Sequence, residues 1–187
     1  MKTRSILLLV SAALSFLLSG CLVSNTPLIT AANSDRPFPA HFSISRDGNQ
    51  GRGELAGDNT YVFTDPDSTD RVSLSFKKIA DNLYAVSQPM VVKETGELKG
   101  YQYGYMRLAA DGSRVAIQWP HCNAFVAADI EKIGVKIEKE EDGTLARCHI
   151  PSIEVLAALL TNYLNNPENA ERIKSREDDG TFDIITK

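Results

Sequence analysis

From His41 to His149 apolar residues recur at every second position in short runs, and turn-forming residues end most of these runs. "HFSIS" sets Phe42 and Ile44 on one face, "TYVFT" does the same with Tyr61 and Phe63, and "RVSLSFK" sets Val72, Leu74 and Phe76 against Ser73, Ser75 and Lys77. A period of two marks a strand with one buried face. Asp47–Asn49, Ala80–Asn82, Glu94–Glu97 and Ala110–Ser113 separate the runs with residues suited to tight turns. "LYAVSQPMVV", "GYQYGYMRL" and "RVAIQW" continue the series, and "VKIEK" and "TLARCHI" make one more hairpin around "EDG". Strands joined in order by short turns predict an antiparallel meander of about six to eight strands. That number is enough to bend strongly or to close into a barrel.

The period changes after Ile150. Ile153, Leu156, Leu159, Leu160, Tyr163 and Leu164 recur at helical spacing, and Ser152 is placed to cap that helix. Asn166-Pro167 stops it, with Pro167 suited to the first position of a second short helix. "NAFVAADIEKIG" predicts a further short helix with Asn123 as its cap and Gly134 just past its end, and the tail "DDGTFDIITK" ends in one more strand or frays. The fold class is therefore α+β: an antiparallel meander, as a bent sheet or a lipocalin-like barrel, with C-terminal helices covering one face or one end.

The first twenty residues do not belong to this pattern. Lys2 and Arg4 precede an apolar run from Ile6 to Leu18, which is short for a membrane span and suits an export signal. Leu18-Ser19-Gly20-Cys21 resembles the lipobox of bacterial lipoproteins. That resemblance implies removal of residues 1–20 as a signal peptide and attachment of three acyl chains, palmitate among them, to Cys21. Several chains are what stable anchoring needs. Leu22 in the following position points to the outer membrane by the same resemblance. Leu22 to Pro39 contains three prolines, several small polar residues and no apolar period, so residues 21–40 read as the lipidated cysteine and a flexible tether. Residues 41–187 then form a single β-rich domain, large enough for its own core.

Charge narrows the partners. Removing Lys2 and Arg4 turns the formal −4 of the chain into −6, which argues against nucleic acid. Three cysteines change the picture further. If Cys21 carries lipid, Cys122 and Cys148 are left as an even pair in an oxidising compartment, where pairing is expected. Each stands beside a histidine, His121 and His149. A Cys₂His₂ metal set and free thiols are the alternatives, but neighbouring residues on a strand point to opposite faces, so one ion does not easily gather all four. The expectation is a Cys122–Cys148 disulfide, no metal and no cofactor.

Tyr101, Tyr103 and Tyr105 share one face of a strand interrupted by Gly100 and Gly104. They are a candidate binding face, offering flat apolar area with hydroxyl handles, although the preferred reading is that they are ordinary strand formers filling a curved sheet. Two glycines in a strand permit a bend or the close approach of another backbone. Asp65, Asp67 and Asp70 cluster in "TDPDSTD", but Asp70 stands where a calcium loop of the EF-hand kind needs glycine, so a solvated turn is the reading. Glu138–Asp142 reads as a charged hairpin tip that protects a sheet edge. No catalytic motif is present and none of His41, His121 and His149 is paired by spacing with a nucleophile. The expectation is a non-catalytic interaction or structural role at the cell envelope, with an envelope protein or cell-wall material as partner. The alternative is a lipocalin-like carrier of a small apolar or aromatic ligand, with an enzyme as the third reading. An open apolar cavity of about 300 Å³ or more is what a carrier requires.

Overall fold

The computed structural model describes residues 21–46, 49–64, 71–139, 141, 145–179 and 181–185. A first strand, β1 (Cys21–Ser24), precedes the region of alternation. Seven strands then follow, six at the predicted runs and β3 unforeseen between the first two of them: β2 (His41–Arg46), β3 (Asn49–Leu55), β4 (Thr60–Thr64), β5 (Arg71–Ala80), β6 (Leu83–Val91), β7 (Leu98–Leu108) and β8 (Arg114–Gln118). After them come a short helix α1 (Ala127–Lys132), the hairpin β9 (Lys136–Lys139) and β10 (Leu145–His149), helices α2 (Ile153–Asn165) and α3 (Ala170–Asp179), and a last strand β11 (Thr181–Ile185).

The meander closes. β2 to β8 pair antiparallel in sequence order, and β11 fits antiparallel between β8 and β2. The result is an eight-stranded closed barrel within an α+β fold, similar in architecture to a lipocalin. Closure removes the two edges that an open sheet would leave exposed. The C-terminal tail therefore completes the wall, with Phe182 paired with Val115 and Ile184 paired with Ile44.

β7 belongs to two sheets. Along one edge it pairs with β6 from Leu98 to Arg107. Along the other edge Tyr105 to Leu108 pair with β8, whereas Tyr101 to Tyr103 pair with β1. β1 then pairs in parallel with β10, which pairs with β9, so a three-stranded wing leaves the barrel wall at Gly104. A Cβ at Gly104 would lie 2.2 Å from the Gln118 carbonyl oxygen and 2.9 Å from the Trp119 ring. Glycine is what allows the chain leaving β8 to turn across β7 at the fork.

The segment 21–40 is not a tether. Leu22, Val23, Ile29 and Phe38 are buried, and β1 carries main-chain ladders on both sides. Tyr103 draws in the following turn: the Leu28 N–H donates to its hydroxyl (3.0 Å) and Ser24 Oγ shares a hydrogen bond with it (2.7 Å). The prolines were a fair sign of irregular backbone, but burying four apolar side chains, each worth about 1.5–3 kcal/mol for the larger ones, favours ordering this stretch.

Two cores follow from the alternation. The inner face of the barrel gathers Phe42, Tyr61, Leu74, Phe76, Val86, Met106 and Val115, joined by Phe38 from the segment before β2. On the outer face, Leu83, Ala85, Tyr103 and Tyr105 pack with Leu156, Leu159, Leu160 and Tyr163 of α2, with Leu22 and Cys148 of the wing, and with Cys122 and Ile150 beside it. Ser152 caps α2 by accepting from the Val155 N–H (3.3 Å), as its position predicts. α1 starts three residues later than the residues after Asn123 suggested, with Val126 as its cap. Cys122–Ala124 instead form a 3-10 turn, which Cys122 ties to β10 through a disulfide with Cys148.

Two outcomes test this account. Gly104→Ala should destabilise by roughly 2 kcal/mol, the cost of overpacking against backbone. Gly57→Ala, with nothing within 4 Å of the added Cβ, should change the urea midpoint little. Replacing both Cys122 and Cys148 by Ala should lower stability by about 3.5 kcal/mol in the chain-entropy treatment of the loop. At a few degrees per kcal/mol, this is a fall in Tm of about 10 °C in a scanning calorimeter.

Candidate functional site

Inside the barrel the side chains do not fill the space. A cavity of about 370 Å³ is lined by Ile44, Arg46, Phe63, Val72, Leu74, Gln88, Val115, Ile117, Trp119 and Phe182. These come from β2, β4, β5, β6, β8 and β11 and from the residue that follows β8. β3 contributes none of them, because its inward positions are Gly51 and Gly53. A Cβ at Gly53 would fall 2.1 Å from the Phe42 ring, and one at Gly51 would fall 3.1 Å from Ile44. Phe42 and Ile44 lean into the room these glycines leave.

One part of the interior is solid. Phe38, Phe42, Tyr61, Phe63 and Phe76 form a cluster with ring centroids 4.5 to 6.5 Å apart, stacked for Phe38 and Phe42 and edge-on elsewhere. The Tyr61 hydroxyl donates to the Phe38 carbonyl and so closes the cluster with a satisfied polar group. Phe63 belongs both to this cluster and to the cavity wall, so the aromatic plug forms one boundary of the empty space.

The lining is almost wholly apolar. Gln88 is one exception; its carbonyl accepts from the Gln102 amide across the β6–β7 ladder (2.9 Å). Arg46, exposed at the last residue of β2, is the other, and its guanidinium lies over the Phe182 ring at 5.7 Å from the centroid. Arg46 is the one exposed residue of the lining. Trp119, the single tryptophan of the chain, stands in the wall where the chain crosses the fork.

The tyrosine face is resolved as core. Tyr101, Tyr103 and Tyr105 do share one face, but it is the outer wall of the barrel beneath the wing and α2. Tyr103 and Tyr105 are each 1% exposed and Tyr101 is half-buried. β1 pairs beside the first two within the sheet, Ser24 and the Leu28 N–H hold the Tyr103 hydroxyl, and Tyr163 packs near Tyr105 at 6.4 Å between centroids. The candidate binding face is thus withdrawn: the aromatic area is already spent on the protein's own helix and strand. Burial pushes the Tyr61, Tyr103 and Tyr105 hydroxyls up from the ordinary tyrosine value; for Tyr105 the nearby Glu177 carboxylate adds to the effect, whereas bonds to Ser24 and Leu28 partly oppose it at Tyr103.

The other singled-out residues are scattered. His149 lies 3.3 Å from Glu138, which also approaches Arg147 at 3.9 Å, all on the β9–β10 hairpin. His41 begins β2, and His121 precedes the turn that holds Cys122. Among the described residues no three His, Cys, Asp or Glu side chains are gathered as a metal would require. Asp65, Asp67 and Asp70 lie outside the described residues, as does part of the charged tip at Glu138–Asp142. Among the described residues no helix is long and apolar enough to cross a membrane.

The alternation placed Ile44, Phe63, Val72 and Leu74 on the apolar faces of their strands and left open whether the interior they enclose is filled or hollow. The signal passed over was "GRG" in β3, where two glycines at period two remove the side chains from one stave of the wall. The fold is an eight-stranded β-barrel with an apolar cavity among its inward-facing side chains. Set against protein-family models, curated proteins and solved structures, the chain matches none.

The buried phenols carry a pH dependence. An unfolded chain releases its tyrosine protons near pH 10, whereas the folded one holds them to higher pH. The unfolded state thus binds fewer protons above about pH 10, so stability is complete below that value and falls as pH rises through it. Urea midpoints at pH 8 and pH 11 should show the fall. In Tyr103→Phe the fall should be shallower, on top of a loss of about 1–3 kcal/mol from the unpaired Leu28 N–H.

Proposed function

We propose that the protein is a non-catalytic binding protein of the bacterial cell envelope, anchored by lipid at Cys21, whose barrel takes up a small, mainly apolar molecule. The apolar cavity of about 370 Å³ carries this reading. Its volume exceeds what a carrier requires and is more than twice the roughly 150 Å³ that accommodates benzene in an engineered cavity. A ligand of about ten carbons suits it, as a short chain or as two fused rings. Ten methylene equivalents gain roughly 8 kcal/mol on burial, and association and ordering costs offset part of this, so affinity no tighter than about micromolar is expected. Gln88 gives the ligand one amide to meet, and Arg46 with its Phe182 platform borders the way in.

A partner-binding role through the tyrosines has lost its surface, which is why carriage is preferred to it. The anchor reading rests on Leu18-Ser19-Gly20-Cys21, and the outer membrane on Leu22.

Trp119 reports on the cavity without any label. Titration of the mature protein with naphthalene derivatives and with medium-chain alcohols should change Trp119 emission saturably, with a Kd of about micromolar or weaker. Val72→Phe, which fills the cavity, should weaken binding about tenfold or more while leaving the urea midpoint close to wild type. A flat titration across both ligand series, with nothing released from the purified protein by organic extraction, would remove the carrier reading.

A further inference from the structure

The residue expected to carry lipid is the first residue of a strand built into the sheet. We infer that the domain lies directly against the bilayer, held at the start of β1 with no spacer between the lipid and the fold. This rests on the anchoring at Cys21 proposed above and adds how the molecule is placed.

Cys21 stands in the ladder opposite Arg147, and the next residue, Leu22, pairs with Cys148 on one side and Tyr103 on the other. Leu22 is fully buried and Val23 is 4% exposed. The Ile150 N–H donates to the Val23 carbonyl at 2.8 Å. No slack follows further along either. Ser24 and Leu28 are tied to Tyr103, and Ile29 is buried. Asp35 accepts from the Lys78 N–H (2.7 Å) and pairs with the Lys77 ammonium (3.1 Å), and Phe38 is in the barrel core. As a free chain, Leu22 to Pro39 would reach about 60 Å from the membrane. Folded, the same residues reach nowhere, because they form part of both cores.

Releasing β1 to make a tether would expose more than its own side chains. It would uncover Tyr103 and the Cys122–Cys148 bridge, and would leave the facing edges of β7 and β10 without partners. The parallel pairing also tells which side faces the lipid. β1 and β10 start at the same end, so the bilayer meets the end of the wing that carries Cys21 and Arg147, beside the fork at Gly104. Trp119 crosses that fork, which places the cavity wall near the membrane side of the molecule.

The test uses mature protein extracted from membranes and returned to phosphatidylethanolamine–phosphatidylglycerol vesicles that carry a dansyl acceptor on the headgroups. Energy transfer from Trp119 should be strong. It should drop at least about threefold when an 18-residue Gly/Ser spacer, with a root-mean-square reach of roughly 23 Å, is inserted between Cys21 and Leu22. Hydrogen exchange gives a second measurement on the unaltered chain, in which amides 22–24 should stay protected in the vesicle-bound protein. Acylated protein with equal transfer in both forms, or with amides 22–24 exchanging like free peptide, overturns direct apposition and leaves the anchor standing. An unmodified Cys21 thiol in the mature protein, read by mass spectrometry of its N-terminal peptide, overturns the anchor and this inference with it.

Discussion

The outer edge of β7 changes partner at Gly104, and both halves of the molecule depend on that change. Below it the edge belongs to β8 and the barrel; above it the edge belongs to β1 and the wing. A strand edge can satisfy only one neighbour at each position, so the two sheets share β7 by dividing its length. Any Cβ at the dividing point would meet the Gln118 carbonyl. The close approach sends Trp119 into the barrel wall, where it lines the cavity. Closure of the wall, attachment of the wing and the shape of the interior thus meet at one missing side chain.

The two faces of β6 and β7 show how one alternation serves two cores. Val86 and Met106 point into the barrel, while Ala85 and Tyr105 point out to α2. Sheets that are covered on both faces need apolar residues at consecutive positions, and "YAV" and "YM" supply them. The interior of the barrel is then free to remain partly empty. The outer core, with its disulfide and amphipathic helix, holds the wing and helices to the wall and so carries much of the burden of stability.

Much of this was legible in the chain because it depends on local rules. Period two placed six of the seven strands from β2 to β8, all but β3, and Ser152 with the stripe from Ile153 to Leu164 placed α2. The parity of Cys122 and Cys148 gave the pair that the structure brings to bonding distance. Nonlocal pairing was less readable. Residues 21–24 hold only four positions, too few to show a period, and their ladder partners lie some 80 and 126 positions away at Tyr103 and Cys148. The tyrosine face was correctly placed on one side of its strand, but which side is covered depends on a helix some fifty residues later. The cavity was hidden for a different reason: a void is a property of what many strands fail to fill, and Gly51 and Gly53 read locally as poor strand formers.

The place of β11 has a consequence for the order of events in folding. Its ladder partners lie in β8 and in β2, the first stave of the barrel. Until β11 is in place, β2 and β8 are open edges of a curled sheet, and the apolar interior faces water. Contacts that join the ends of a chain cost loop entropy before they return any stabilisation, which slows folding. Unpaired edges of this kind invite pairing with other chains. Before β11 docks the protein is an open sheet, and a chaperone that shields strand edges would have a defined window in which to act on it.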